Sequence, residues 1–344
     1  MAENSNREFK ILSIDGGGIK GLYSSCVLQH FEENFNCLIS DHFDMLCGTS
    51  TGGLIALAAS LKIPMSQVTD FYRTEGPKIF PSFKKNKWFS AIFGQNVTDG
   101  DVRQIAKGGK FSDVHLRRSL TEIFGDAKIG DSHNYLCIPS YTITEARPFI
   151  FKKDHHDLTR DDKAHYVDVA LATSAAPTFF PMAEISYYDH KQFIDGGVWA
   201  NNPALVGLLE ALRYFVGTDK EFDRVKILSV SSLSITGGKP TGLKRERSFV
   251  DWRKDLFETS MTGQSFFTDF FISQLHNMSD IPVDYCRIPS AEVSREQEDH
   301  IRLDVATPQA LQLISGKGND MGLLYRKKAE IADFFSKQKL SKIK

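Results

Sequence analysis

Phe43-Asp44-Met45-Leu46-Cys47-Gly48-Thr49-Ser50-Thr51-Gly52-Gly53-Leu54-Ile55-Ala56-Leu57-Ala58-Ala59 reads as an apolar strand, a tight turn and an apolar helix. A serine on such a turn is lifted out of the sheet, and the following helix points its amino end at it. Gly48 and Gly52 let the flanking backbone pack closely around the turn. A Gly-x-Ser-x-Gly turn in that strand–helix setting is the nucleophile elbow of serine acyl hydrolases.

A second glycine cluster lies upstream. Phe9-Lys10-Ile11-Leu12-Ser13-Ile14 alternates as a strand and ends in Asp15-Gly16-Gly17-Gly18-Ile19-Lys20-Gly21. Ile19, Leu22, Tyr23, Cys26, Val27 and Phe31 then recur at helical spacing. A glycine loop at a helix amino terminus offers free backbone N–H groups and the positive end of a dipole, so it suits an anion. In a hydrolase that anion is the tetrahedral oxygen formed when serine attacks an ester. Gly16, Gly18 and Gly21 also fit the dinucleotide fingerprint G-x-G-x-x-G. That fingerprint wants an acidic residue at the end of the second strand. Here Glu32 and Glu33 fall in the helix, and the next strand runs into the serine turn. A Walker loop fails because Leu22 and Tyr23 follow Gly21.

The third element is Lys191-Gln192-Phe193-Ile194-Asp195-Gly196-Gly197. Asp195 closes an apolar strand and enters a glycine turn, which by itself is ordinary turn chemistry. Around it lie Thr173-Ser174-Ala175-Ala176-Pro177-Thr178-Phe179-Phe180-Pro181 and Trp199-Ala200-Asn201-Asn202-Pro203, dense in small residues, prolines and asparagines. That composition predicts a tightly packed loop region.

Taken in order, the glycine loop, the serine elbow, Ser174-Ala175-Ala176-Pro177 and Asp195-Gly196-Gly197 resemble the patatin-like phospholipases, over about residues 9–235. The resemblance implies a Ser–Asp dyad, with Ser50 as nucleophile and Asp195 as its base. It implies oxyanion N–H groups from Gly17 and Gly18, with Gly16 and Thr51 as further candidates. Lys20 takes the family's basic position in the glycine loop, and Gly48, Gly52, Gly196 and Gly197 support the turns. No cofactor or metal is implied. A buried carboxyl group has its pKa raised toward the working pH, which makes it a better base, so direct contact between Asp195 and the Ser50 hydroxyl is expected. A Ser-Asp-His hydrolase using His276 or His300 remains an alternative in chain order, though neither histidine follows an apolar strand into a glycine turn. A non-catalytic lipid- or nucleotide-binding module is the other alternative.

The 344 residues carry 42 Lys and Arg against 43 Asp and Glu. Charges that cancel this closely point away from a nucleic-acid polymer as partner. The polar start lacks a signal-type apolar region, and no apolar run reaches the length of a membrane span. Five cysteines without a C-x-x-C pair read as reduced, which fits the cytoplasm. His155-His156, set among aspartates, reads as a solvated loop.

Strands are expected at 9–14, 43–47, 136–144, 148–152, 192–195 and 225–232, and helices near 19–35, 52–61, 65–75, 113–124, 164–173 and 203–215. Their alternation predicts an α/β fold: a largely parallel central sheet with helices on both faces, the patatin-like three-layer sandwich. Asp15, Gly48 and Asp195 all fall at carboxyl ends of strands, where such sheets carry their sites. The whole chain, 1–344, reads as one domain with its catalytic core at 9–235 and a helical or irregular part at 236–344. Peripheral contact with the inner face of the membrane is expected. Lys78-Ile79-Phe80-Pro81-Ser82-Phe83-Lys84-Lys85-Asn86-Lys87-Trp88-Phe89 mixes cations and aromatics and is a candidate for it. Phe266, Phe267, Phe270 and Phe271 at helical spacing read as core or a subunit interface, and the tail from Tyr325 to Lys344 as a solvated helix. Small bacterial patatins include cyclic-nucleotide-activated effectors of anti-phage defence. The resemblance therefore implies such an activator as a partner, with Lys and Arg of the last third, among them Lys244, Arg245 and Arg247, as phosphate contacts. Whether the chain forms a homo-oligomer stays open.

Overall fold

The computed structural model describes residues 7–83, 109–235, 256–275 and 282–341, with isolated positions at 99, 238, 241–242, 245–246, 252 and 343. At its centre is β1 (Glu8–Ile14), paired in parallel on one side with β2 (Met45–Gly48) and on the other with β7 (Arg224–Val230). β3 (Tyr135–Thr142) extends the parallel set beyond β2, and β8 (Val283–Ile288) extends it beyond β7. β4 (Arg147–Phe151) and β6 (Lys191–Asp195) both join β3 antiparallel, and β5 (Ala183–Ile185) joins β6. The sheet is therefore mixed. Its parallel part holds the expected βα units, and its antiparallel part carries Asp195.

Strand alternation sorts the core onto two faces. Leu12 and Ile14 of β1 join one buried cluster, with α1 (Gly21–Phe35), α2 (Thr51–Ser60) and α3 (Met65–Ile79). α4 (Val114–Phe124) and α5 (Tyr166–Ser174) cover the same face. Phe9 and Ile11 join the other cluster, under α6 (Ala204–Tyr214), with Ile272 of α7 (Leu256–Gln274). Local chemistry sets several boundaries. Asn36 closes α1 in the left-handed region, φ 49°. Thr307 caps α8 (Pro308–Tyr325), its hydroxyl accepting the Ala310 N–H at 3.2 Å, with Pro308 in the first turn.

The last third departs from its reading. The strand β8 was not expected there, whereas α7 and α8 fall in the part read as helical or irregular. α9 (Ala329–Phe335) is not a solvated helix: Ile331, Phe334 and Phe335 are buried, and Phe335 stacks on Phe35 at 4.6 Å. An amphipathic helix looks solvated when only its length and lysines are counted. Phe266, Phe267, Phe270 and Phe271 are not core, being 37–74% exposed. His155 is buried rather than solvated, with Nε2 3.0 Å from Glu210 Oε1 and Nδ1 2.7 Å from the Lys153 carbonyl. All five cysteines are free. Residues 84–89, His276, Lys244 and Arg247 lie outside the described residues.

Candidate active site

The elbow forms because its glycines leave no alternative. A Cβ on Gly48 would sit 2.1 Å from the Gly52 carbonyl oxygen, and one on Gly52 would sit 2.3 Å from that of Ile14. Strand end, turn and helix start therefore touch backbone to backbone. Ser50 is held at φ 55°, ψ −126°, a conformation that costs an L-residue strain and persists only when its surroundings impose it. Part of that support is the Ser50 N–H bond to Thr173 Oγ1 at 3.0 Å, with the Thr173 hydroxyl donating in turn to the Pro139 carbonyl at 2.6 Å. Thr49 donates to the Ala200 carbonyl at 2.6 Å. Thr173 and Ala200 come from the two small-residue segments expected to pack tightly.

Asp195 ends β6 beside Ser140 of β3, and its carboxyl group is almost wholly buried. Its Oδ1 accepts the Gly197 N–H at 2.7 Å. Burial pushes its pKa up to about 7, against smaller downward pulls from the Gly197 N–H and the neighbouring Ser50 hydroxyl. A carboxylate desolvated to this degree is a far stronger base than one in water.

Ser50 and Asp195 line one narrow apolar cavity of about 40 Å³, with Gly18, Leu54, Phe179, Phe257 and others. No histidine lines it among the described residues. His300 lies on a separate 3₁₀ turn, Arg295–His300. In the glycine loop, Asp15 donates its N–H to Val230, Gly16 to Asn201 and Ile19 to Leu303. Gly16 is thus corrected as an oxyanion donor, since its N–H is taken by the Asn201 carbonyl at 3.0 Å. The Gly17 and Gly18 N–H groups have no acceptor among the described residues, and Gly18 takes φ 58°, favoured by glycine. Lys20 Nζ lies 3.8 Å from Glu258 of α7.

The motifs did not reveal Arg287. From β8 it grips Asp15, the residue that opens the glycine loop, with bonds of 2.9 and 2.5 Å, and donates to Ser229 Oγ at 2.6 Å. Nothing near Arg287 in sequence marks it, because the pair spans 272 positions. Met261, Phe257 and Leu303, which line the cavity, also come from that unmarked last third.

Residues 12–208 match the family model described as patatin-like phospholipase. The chain belongs to the patatin-like phospholipase family. It is accordingly a lipid acyl hydrolase. A "cGAMP-activated phospholipase" of Pseudomonas aeruginosa is 29% identical over 317 residues, covering 90% of this chain and 87% of that protein. Another of the same description, from Vibrio cholerae, is 27% identical over 350 residues, 97% of this chain and 96% of that one. "Patatin-like protein 2" of Oryza sativa is 33% identical over 235 residues, 61% of this chain and 55% of that one. Among the described residues of this patatin-like phospholipase, no helix is long and apolar enough to cross a membrane.

Proposed function

We propose that the protein cleaves acyl esters of membrane phospholipids through Ser50 and Asp195, acting as one unit over its whole length. Asp195 takes the Ser50 proton as Oγ attacks the ester carbonyl carbon. The oxygen that becomes negative is held by the Gly17 and Gly18 N–H groups, with Thr51 at the amino end of α2 as the further donor. Collapse of the tetrahedral species expels the lysophospholipid alkoxide, which takes the proton from Asp195, and leaves an acyl-Ser50. Water, deprotonated by the same carboxylate, then releases the fatty acid and regenerates the serine.

The observation that carries this reading is Asp195 itself, buried beside Ser50 in an apolar cavity with its pKa near 7. Lipid product analysis with Ser50→Ala and Asp195→Asn tests it, alongside labelling by a fluorophosphonate probe. Both variants should lose hydrolysis by 10³-fold or more, roughly the scale of losing an essential nucleophile or its base. Labelling should vanish in Ser50→Ala. Retained turnover in Asp195→Asn would remove the dyad, and labelling of Ser50→Ala would exclude Ser50 as nucleophile.

Contact with the bilayer is assigned to α7. Its inward residues Phe257 and Met261 line the acyl cavity, while Phe267, Phe270 and Phe271 stand exposed. Phe267→Ser with Phe270→Ser should weaken sedimentation with phospholipid vesicles, and unchanged sedimentation would reject this face.

Activation by a cyclic dinucleotide, in a defence role, is supported by the two bacterial relatives described as cGAMP-activated, which align over nine-tenths of this chain or more. The narrowness of the cavity also supports it: about 40 Å³ admits a few waters, not a fatty acyl chain. Hydrolysis should be low alone and rise with cGAMP. High basal activity unaffected by any cyclic dinucleotide would refute regulation of this kind.

A further inference from the structure

A second cavity, of about 390 Å³, lies beside the first. Gly16 and Lys20 of the glycine loop line it, as Gly18 lines the acyl cavity. Met261 and Leu303 belong to the walls of both. The two cavities therefore share a partition, built from α7 and the segment before α8. That partition is fastened to the glycine loop. The Leu303 carbonyl accepts the Ile19 N–H at 2.9 Å, and Glu258 Oε1 accepts the Leu303 N–H at 3.3 Å while lying 3.8 Å from Lys20 Nζ.

The lining of the second cavity differs in kind from that of the first. Thr262, Ser265, Phe266 and Asp269 fall at helical spacing along one side of α7, and Ser234 and Ser290 contribute hydroxyls from other segments. Its two cations are already matched. Arg287 is bound to Asp15 through two bonds, and Lys20 is paired with Glu258. No unmatched cation among the described lining residues waits for a phosphate. What the cavity offers is a set of hydroxyls, a carboxylate that accepts only the Tyr285 hydroxyl among the described residues, at 2.8 Å, and the exposed ring of Phe266 one helical turn away. An aromatic ring stacks on a nucleobase, and a carboxylate accepts from its amide and amine N–H groups.

Resting on the activation read above, we infer that this cavity is the activator's site, recognising a cyclic dinucleotide by its purine bases and sugars rather than its phosphates, and that occupancy displaces the shared Met261–Leu303 wall from the acyl cavity. This reverses the expectation from sequence that Lys and Arg would read the phosphates. It also assigns the switch a place. A ligand that binds the open form better shifts the population toward it, and the open form is one in which the Ile19 N–H has lost the Leu303 carbonyl.

Calorimetric titration of the full-length protein with cGAMP tests the site, using Phe266→Ala and Asp269→Asn. Each should raise Kd tenfold or more, and millimolar pyrophosphate should not compete. Hydrogen exchange on the unmodified protein provides a measurement independent of any variant's folding. Bound cGAMP should protect residues 262–269 and 231–235, and should speed exchange at Ile19. Affinities within twofold of the wild type in both variants, or protection confined to another surface, would overturn the site while leaving activation intact. Displacement by pyrophosphate would overturn recognition through the bases. Slowed exchange at Ile19 would overturn the displacement of the wall. A wild-type protein that neither binds nor responds to any cyclic dinucleotide would instead overturn the activation on which the site rests.

Discussion

Ser50 stores strain that its neighbours impose, and removing that strain is measurable. Holding a non-glycine residue in such a sparsely populated backbone region costs about 1–3 kcal/mol. Ser50→Gly should therefore raise the free energy of unfolding by about that amount while abolishing fluorophosphonate labelling. A Ser50→Gly protein no more stable than the wild type would show that the turn is relaxed. Asp195 makes a second residue-scale prediction. Its pKa rises from 3.8 to about 7 on folding, so between those values the folded chain keeps a proton that the unfolded chain has lost. The stability tied to that proton is complete below pH 3.8 and is lost as pH rises through about 7. Asp195→Asn removes the charge, and above pH 8 it should exceed the wild type in stability by up to roughly 4 kcal/mol. Hydrolysis runs the opposite way: it needs the ionised base, so wild-type activity should climb with a midpoint near pH 7. Denaturant titrations of both proteins at pH 5 and 8.5, with a pH–rate profile, check the pair. Both residues were legible in the sequence because each sits on a glycine turn after an apolar strand. The upward direction of the pKa was expected too, but its size was not, because it comes from walls drawn from other elements.

Elements inherit their reliability from pattern. The strands β1, β2 and β7 are rich in apolar residues, broken in β1 and β7 by Lys10, Ser13, Lys226 and Ser229, and the expected spans fall on them to within a few residues. β8 reads Val283-Asp284-Tyr285-Cys286-Arg287-Ile288, with charge at two of six positions, and sits at the sheet's edge, so periodicity passes over it. β5 has three residues, too short for any pattern. β8 nevertheless carries the residue that anchors the glycine loop. Breaking a buried pair strands a charge at about 3–5 kcal/mol, whereas removing both partners costs far less. Arg287→Met should lower stability by that order and cut kcat more than KM, since the loop binds the transition state. Asp15→Asn with Arg287→Met should recover much of the stability without recovering kcat. Equal loss in the single and double variants, by urea unfolding and steady-state kinetics, would show that the pair contributes nothing as a pair.

At the scale of the whole molecule, the last hundred residues are structural partners of the first fifty. Lys10 donates to the carbonyls of Phe334 and Lys337 at 3.0 and 2.5 Å, and Phe334 and Phe335 pack on Phe43. Phe335→Ala should cost about 3–5 kcal/mol, the scale of a deleted core aromatic, and a loss below 1 kcal/mol in urea unfolding would return α9 to the solvated helix that its lysines suggested. What the sequence determined alone was local and directional. Apolar runs fixed where strands begin, and glycines fixed where backbone must turn or touch, so Ser50, Asp195 and the glycine loop could be named before any coordinates. Tertiary structure decided everything that depends on segments meeting across hundreds of residues. It chose Arg287 as the partner of Asp15, committed the Gly16 N–H to Asn201, and set Met261 and Leu303 against the acyl cavity. Burial and closure are sums over neighbours, and a linear pattern records only the neighbours along the chain.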